Sequence, residues 1–194
     1  MEKKVTIKTG TSLAIRELTY DDLDGLIEFY SNLPLNDRLY LRIDVTDREL
    51  VKQRIEDAVN KKDIRLIALK DDRIIGSGAL EFPREGWKKN QGELRIIVAR
   101  DYQRKGVGLS MSRELYQQAL ENKVEKLVVK IMKPQTGPRR MLRKLGFRKE
   151  SVITDYVTDQ SDHTQDLLIM SCEMKDFWKE LSMIYGDSDW QRCR

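Results

Sequence analysis

This 194-residue chain has two cysteines, one histidine and no long apolar run, and each shortage excludes a class of function. Cys172 and Cys193 form no Cys-x-x-Cys pair, so a disulfide framework and a cysteine-based zinc site are both excluded. His163 sits in the polar stretch 158–164 with no second histidine to share a metal or complete a triad, and reads as a solvated loop residue. No segment approaches the roughly 18 consecutive apolar residues of a membrane span. Met1-Glu2-Lys3-Lys4 leads into no apolar stretch of the signal-peptide kind, so the expectation is a protein of the reducing cytoplasm without membrane contact. A strong charge of one sign is missing too. The 36 Lys and Arg stand against 32 Asp and Glu, interleaved along the chain, for a net charge of +4. With no strip of aromatic and basic residues, a nucleic-acid partner has only the pI near 9.0 behind it.

What is present is a chain with 40% hydrophobic and 35% charged residues, enough to bury one ordinary core. Residues 12–19 read as a strand. Thr19 is placed to cap a helix carrying Leu23, Leu26, Ile27 and Tyr30 on one side. Residues 31–45 read as a loop with Pro34 and an Arg-Leu-Tyr-Leu-Arg cluster at 38–42. Thr46-Asp47-Arg48-Glu49 predicts a capping box for a helix over about 47–60. Two apolar runs, 64–69 and 74–82, joined by Lys70-Asp71-Asp72-Arg73, predict a hairpin, and Gly76 and Gly78 mark a bend or close contact in its second strand. A strand over 94–98, a helix to about Asn122, a strand over 127–131, and a helix start flanked by Pro134 and Pro138 and ended by Gly146 follow. Strands over 152–157 and 166–174 and a short helix over 176–185 complete the chain, and its last nine residues are expected to fray. The order β-α-α-β-β-β-α-β-α-β-β is that of an α+β protein, not of a doubly wound parallel sheet.

One stretch carries most of the functional signal. Gln103-Arg104-Lys105-Gly106-Val107-Gly108 runs from a strand into a helix. Its glycines let backbone approach a ligand, and the helix start offers N–H groups without intrahelical partners. Together these predict a site for a phosphate-bearing ligand. A P-loop is excluded, because no glycine precedes Lys-Ser or Lys-Thr at the required spacing. The dinucleotide fingerprint fails at Met111, and its β-α-β-α-β frame is missing.

The remaining pattern, [Gln/Arg]-x-x-Gly-x-[Gly/Ala], resembles the acetyl-CoA pyrophosphate loop of the GNAT acyltransferase superfamily. Leu145-Gly146-Phe147 is similar to a second signature of that family. The stretch from Gly92 to Val98, with ten residues from Glu93 to Gln103, looks most like the acetyltransferase domains of bacterial protein-lysine acetyltransferases. The stretch from Asn32 to Arg42 is similar to that subgroup's substrate-side loop. The resemblance implies a GNAT fold over 1–174, with a C-terminal helix and tail over 175–194. It implies a mixed, mostly antiparallel sheet of six or seven strands, with helices on both faces and a splayed strand pair at the acyl-CoA site. It further implies acetyl-CoA as co-substrate with no metal, an amine acceptor that is a small molecule or a protein lysine, and a monomer or homodimer.

Acetyl transfer from a thioester needs a base for the amine, a donor for the oxyanion and a tolerable leaving group. Glu93 is the candidate base; strand alternation puts Glu93, Arg95 and Ile97 on one face, away from Leu94, Ile96 and Val98. In the subgroup it resembles, a glutamate here acts directly or through water. The resemblance makes the Val98 backbone N–H, or its neighbour, the oxyanion donor. It makes Ile97, Val98, Ala99, Gln103, Arg104, Lys105, Gly106, Val107, Gly108 and Leu109 the acetyl-CoA contacts. Two positions depart from the family pattern: Leu142 stands where many members have a tyrosine acting as general acid, and Gln135 is the nearest substitute for an early helix asparagine. The acceptor is expected against the 31–45, 83–91 and 158–164 loops. A non-catalytic acyl-CoA sensor on the same fold is the competing reading.

Overall fold

The computed structural model describes residues 2–7, 10–41, 43–45, 47–84 and 86–185. Arg42, Thr46, Cys193 and the tail over 186–194, all of which enter the sequence reading, lie outside the described residues. The strands are β1 (Lys3–Thr6), β2 (Ser12–Glu17), β3 (Asp63–Lys70), β4 (Arg73–Glu81), β5 (Gln91–Val98), β6 (Lys126–Met132), β7 (Arg148–Thr158) and β8 (Thr164–Glu173). They form one sheet in the order β1-β2-β3-β4-β5-β6-β8-β7. Among the described residues β5 and β6 form a parallel pair and the other neighbours run antiparallel.

The sheet thus has eight strands where the sequence predicts six or seven. The extra one is β1, where Val5 is the buried residue and pairs with Leu13 of β2. Four residues with one buried side chain give no alternation to detect, so backbone pairing alone decides this strand.

The helices are α1 (Leu23–Ser31), α2 (Leu35–Arg38), α3 (Arg48–Val59), α4 (Val107–Glu121), α5 (Thr136–Lys144) and α6 (Met174–Tyr185). The one-turn α2 falls in the predicted loop, too short for apolar periodicity to show. Helix α3 is capped by the Asp47 carboxylate, which accepts from the Glu49 and Leu50 N–H groups, so the cap lies one residue later than the predicted box. Helix α5 starts at Thr136 between the two prolines, with Pro138 in the first turn, where its missing N–H costs nothing.

The two faces of the sheet bury separate cores. Helices α4, α5 and α6 cover one, with Leu80, Leu94, Met111, Leu115, Leu127 and Phe177 buried. Helices α1 and α3 cover the other, with Leu26, Phe29, Val51, Ile55 and Ile67. The predicted close contact at Gly76 and Gly78 is with α4. A Cβ on Gly76 would stand 2.9 Å from Met111 Sδ, and one on Gly78 3.0 Å from Leu115 Cδ1. The β3–β4 turn places Asp71 and Asp72 at φ 48° and 61°, the mirror-type turn that matches strand twist. Cys172 is buried, and that burial pushes its thiol up to about 12, so it is inert at neutral pH.

Helix α6 is part of the first core. Phe177 is fully buried, stacked on Tyr116 with centroids 5.5 Å apart and edge-on to Phe147 at 5.8 Å. Phe177→Ala is expected to cost about 3–5 kcal/mol in urea unfolding.

A buried ion pair joins β2 to α1. Arg16 donates through both Nη atoms to Asp22, each at 2.7 Å, and Asp22 also accepts from the Thr19 N–H and hydroxyl. Burial opposes ionisation of Asp22, but the Arg16 guanidinium and the Thr19 donors together outweigh it and hold the carboxyl below its ordinary value. A lowered folded value means that the unfolded chain binds the proton more readily, so the contribution is complete at neutral pH. It is lost as pH falls below about 3.9 toward the folded value. Asp22→Asn is therefore expected to lower stability by about 1–3 kcal/mol at pH 7, with the gap to the native chain narrowing in unfolding measurements below pH 4.

Candidate active site

Strands β5 and β6 pair at three positions, Gln91↔Lys126, Gly92↔Leu127 and Glu93↔Val128, and then part. Each stays held on its outer side: β5 by β4 out to Val98, and β6 by β8 out to Met132. A V-shaped gap therefore opens in the middle of the sheet. A cleft of about 340 Å³ lies there, with Ile96, Ile97, Val129, Ile131, Met141 and Leu142 on its walls.

The open end of β5 leads into the glycine loop. The Ala99 N–H donates to the Ile75 carbonyl on the β4 side at 2.9 Å, so alternation turns the Val98 N–H to the opposite edge, toward the gap. Gln103 Nε2 donates to the Val98 carbonyl at 3.1 Å, folding the loop back on the strand end. Arg104 and Gly106 take left-handed conformations, φ 61° and 100°, the second of which only glycine adopts cheaply. The first α4 bond runs from the Ser110 N–H to the Gly106 carbonyl, leaving the N–H groups of Val107, Gly108 and Leu109 ahead of the helical ladder. Val107 is fully buried and anchors the turn. Gly108 lies where a Cβ would stand 3.6 Å from both Met141 Sδ and Val98 Cγ2, so loop, strand end and α5 meet there. Arg104 and Lys105 are exposed, and Lys105 Nζ stands 5.5 Å from the centre of the Tyr102 ring.

The predicted binding residues divide between the faces. Val98 and Leu109 pack with the α4 core, while Ile97 and Ala99 pack with the α1–α3 core. The alternation along β5 is as expected from the sequence.

On the α1–α3 face, cross-strand register sorts charge into neighbouring lines. Arg65 of β3, Ala79 of β4 and Arg95 of β5 stand side by side. One step toward the closed end of the fork stand Asp63, Glu81 and Glu93. Glu81 accepts from Arg65 Nη2 at 2.8 Å and from Arg95 Nη2 at 2.6 Å. Glu93 accepts from Lys130 Nζ at 2.9 Å and lies 3.7 Å from Arg95. Burial, together with the Glu81 charge, raises the Asp63 carboxyl above its ordinary value.

Glu93 therefore stands at the closed end of the fork. It lines a second cavity of about 440 Å³, together with Glu81, Lys126, Lys130 and Glu150. Val98 is five residues further along the strand, about 16 Å at ~3.3 Å per residue. The structure joins Val98 to Gln103 and Gly108; it does not bring Glu93 to them.

Several cleft residues went unread in the sequence. Tyr30, on the apolar stripe of α1, and Ser77, between two glycines in β4, line the cleft and share a hydrogen bond of 3.1 Å between their hydroxyls. Tyr156 lines it unread as well, whereas Tyr40 lines it from the 31–45 loop, which the sequence already set against the acceptor. Gln160 donates to the Ile43 carbonyl at 2.7 Å, joining the 31–45 and 158–164 loops. No periodicity marks such contacts, since they arise between distant segments. Leu142 is buried on the cleft wall and brings no hydroxyl.

A family model for the acetyltransferase (GNAT) domain matches residues 12–148. The chain belongs to the GNAT acetyltransferase family. Solved GNAT structures share its fold. A ribosomal-protein-alanine N-acetyltransferase from Brucella melitensis is 24% identical, with a TM-score of 0.70 over 82% of this chain and 98% of that one. YncA, a putative acetyltransferase from Salmonella typhimurium solved with acetyl-CoA, is 17% identical, with a TM-score of 0.72 over 84% and 94%. RimJ of Mycobacterium smegmatis, solved with CoA-disulfide, is 11% identical, with a TM-score of 0.75 over 95% and 94%. Among the described residues of this GNAT chain, no helix is long and apolar enough to cross a membrane.

The two loop glycines differ in what they require. Gly106→Ala is expected to cost about 1–2 kcal/mol, the penalty of a left-handed residue with a Cβ, whereas Gly108→Ala meets ordinary contacts and leaves the urea midpoint nearly unchanged.

Proposed function

We propose that this protein moves an acetyl group from acetyl-CoA to a primary amine by direct attack in a ternary complex. The observation that carries the reading is the continuity of the apolar fork with the glycine loop: an acyl arm in the gap meets unladdered N–H groups at one end and a charged face at the other. GNAT structures of the same fold solved with acetyl-CoA or CoA-disulfide support it.

In this reading the N–H groups of Val107, Gly108 and Leu109 hold the pyrophosphate, aided by the helix dipole and by the charges of Arg104 and Lys105. Gln103 keeps the loop against the strand end. The free edge of β5 pairs with the amide-bearing arm as an added strand would, and Ile97 and Ala99 back that edge from the opposite core. The Val98 N–H donates to the thioester oxygen, and more strongly once that oxygen is an anion. The amine nitrogen bonds to the carbonyl carbon, the C–S bond breaks, and CoA leaves as a thiolate, which a thiol pKa of about 8.5 tolerates without Leu142 supplying a proton. The proton lost by the amine goes to Glu93. Glu93 lies about 16 Å along β5 from Val98 and lines the neighbouring cavity, too far for direct transfer or for a single bridging water, so the proton reaches it through a chain of several waters.

Two measurements test this. Acetyl-CoA is expected to raise the melting temperature and to be consumed with an amine panel that includes lysine peptides. A thermal shift with no turnover on any amine would favour an acyl-CoA sensor, which the apolar Leu142 would suit. Glu93→Gln should keep the thermal shift and lower transfer by about 10²-fold or more, most at low pH, where the amine holds its proton most tightly. An unchanged pH–rate profile would remove Glu93 from the base role.

A further inference from the structure

The acceptor half of the cleft carries charge of one sign. Arg54 of α3, Arg65, Arg95 and Lys130 line it, and among the described residues no aspartate or glutamate does. The carboxylates that touch these cations lie one step away along the sheet. Glu81 takes Arg65 and Arg95 through their Nη2 atoms and lies 3.9 Å from Arg54, and Glu93 takes Lys130. Glu81 and Glu93 line the neighbouring cavity instead. The register produces this sorting, since it sets Arg65, Ala79 and Arg95 in one line and Asp63, Glu81 and Glu93 in the next.

Ala79 is the small residue between the two arginines, and it too lines the cleft. Its small side chain adds no bulk between the two arginines, and Arg54 of α3 lines the same cleft. Arg65 is nine-tenths buried, and its Nε has no hydrogen-bond partner. Asp63 also lies 3.7 Å from Arg65, and Glu93 3.7 Å from Arg95, but these carboxylates sit in the neighbouring line and do not line the cleft. The arginine line lies on the face away from α4, so the pyrophosphate loop does not account for it.

We infer that the acceptor amine carries a carboxylate, seated over Ala79 between Arg65 and Arg95 with Arg54 beside it. The inference rests on the acetyltransferase reading and narrows its acceptor class. A planar carboxylate matches the guanidinium fork, and the same cations repel an acceptor whose charge is a bare ammonium. Free amino acids and peptides with an acidic side chain beside the amine share this chemistry.

The test uses matched acceptors on the full chain. One pair is an amino acid and its carboxamide; the other is a peptide with Glu beside the reactive amine and the same peptide with Gln. The first pair reports a free carboxylate and the second an acidic side chain. At least one acid is expected to exceed its amide partner about tenfold or more in kcat/KM, chiefly through KM. Arg54→Gln and, separately, Arg65→Gln should shrink that ratio about tenfold while acetyl-CoA binding, followed by calorimetry, stays unchanged. If Arg65→Gln fails to fold, Arg54→Gln, at a less buried side chain, decides. Equal or better use of the amides in both pairs, or an acid-to-amide ratio that neither variant moves, overturns the inference. The same ratios read as binding constants in the presence of CoA decide it if no acceptor is turned over. Failure of acetyl-CoA to bind would instead sink the acetyltransferase reading, and binding of the acids over the amides to the chain alone would still decide this one.

Discussion

The separation of β5 from β6 after Glu93 is the constraint on which the rest of the site depends. Below that point β5 and β6 are paired, and Gly92 is packed so tightly that a Cβ would stand 2.6 Å from Leu80 Cδ1 of β4. Above it each strand is pinned by its outer neighbour, β5 by β4 and β6 by β8, and the side chains between them are large and apolar. A gap in the middle of a sheet leaves peptide groups without a ladder partner, a costly arrangement unless something else pairs with them. Gln103 satisfies one, the Val98 carbonyl. The edge that remains is what the proposed acyl arm would complete.

The fork also divides labour between the faces. On the α4 side it meets a helix start whose first N–H groups point out ahead of their ladder. On the α1–α3 side it meets lines of charge and the loops tied together by Gln160. In the proposed reaction, one ligand threading the gap is held as an anion on one side and presented to the acceptor on the other. The acidic and basic lines are close enough to neutralise each other through Glu81, yet they open into different cavities. That gives the α1–α3 face of the cleft a local sign that the nearly balanced composition of the whole chain conceals.

Much of this was legible in the chain itself. The glycine loop, the hairpin turn at Asp71–Asp72, the close approach at Gly76 and Gly78 and the alternation of Glu93, Arg95 and Ile97 each arise from residues near one another in sequence. Strand β1 was not legible, because four residues with a single buried side chain carry no pattern. Nor was α2, whose one turn is shorter than the period that would reveal it. The Tyr30–Ser77 pair was hidden because Tyr30 fits an apolar stripe equally well as a core residue.

The amino-acid sequence by itself determined the order of elements apart from β1 and α2, the loop that starts α4, and which side chains along each strand share a face. These follow from local backbone geometry and from periods of two and 3.6 residues. Only the tertiary structure decided where those faces meet. Register across β3, β4 and β5 set arginine beside arginine and carboxylate beside carboxylate. The fork placed Glu93 at its closed end and Val98 at its open end. The tight turn at Asp71–Asp72 fixes the β3–β4 register, but β4 and β5 are joined by a longer loop and β5 and β6 by helix α4, and a linear pattern carries no information about register across such connections.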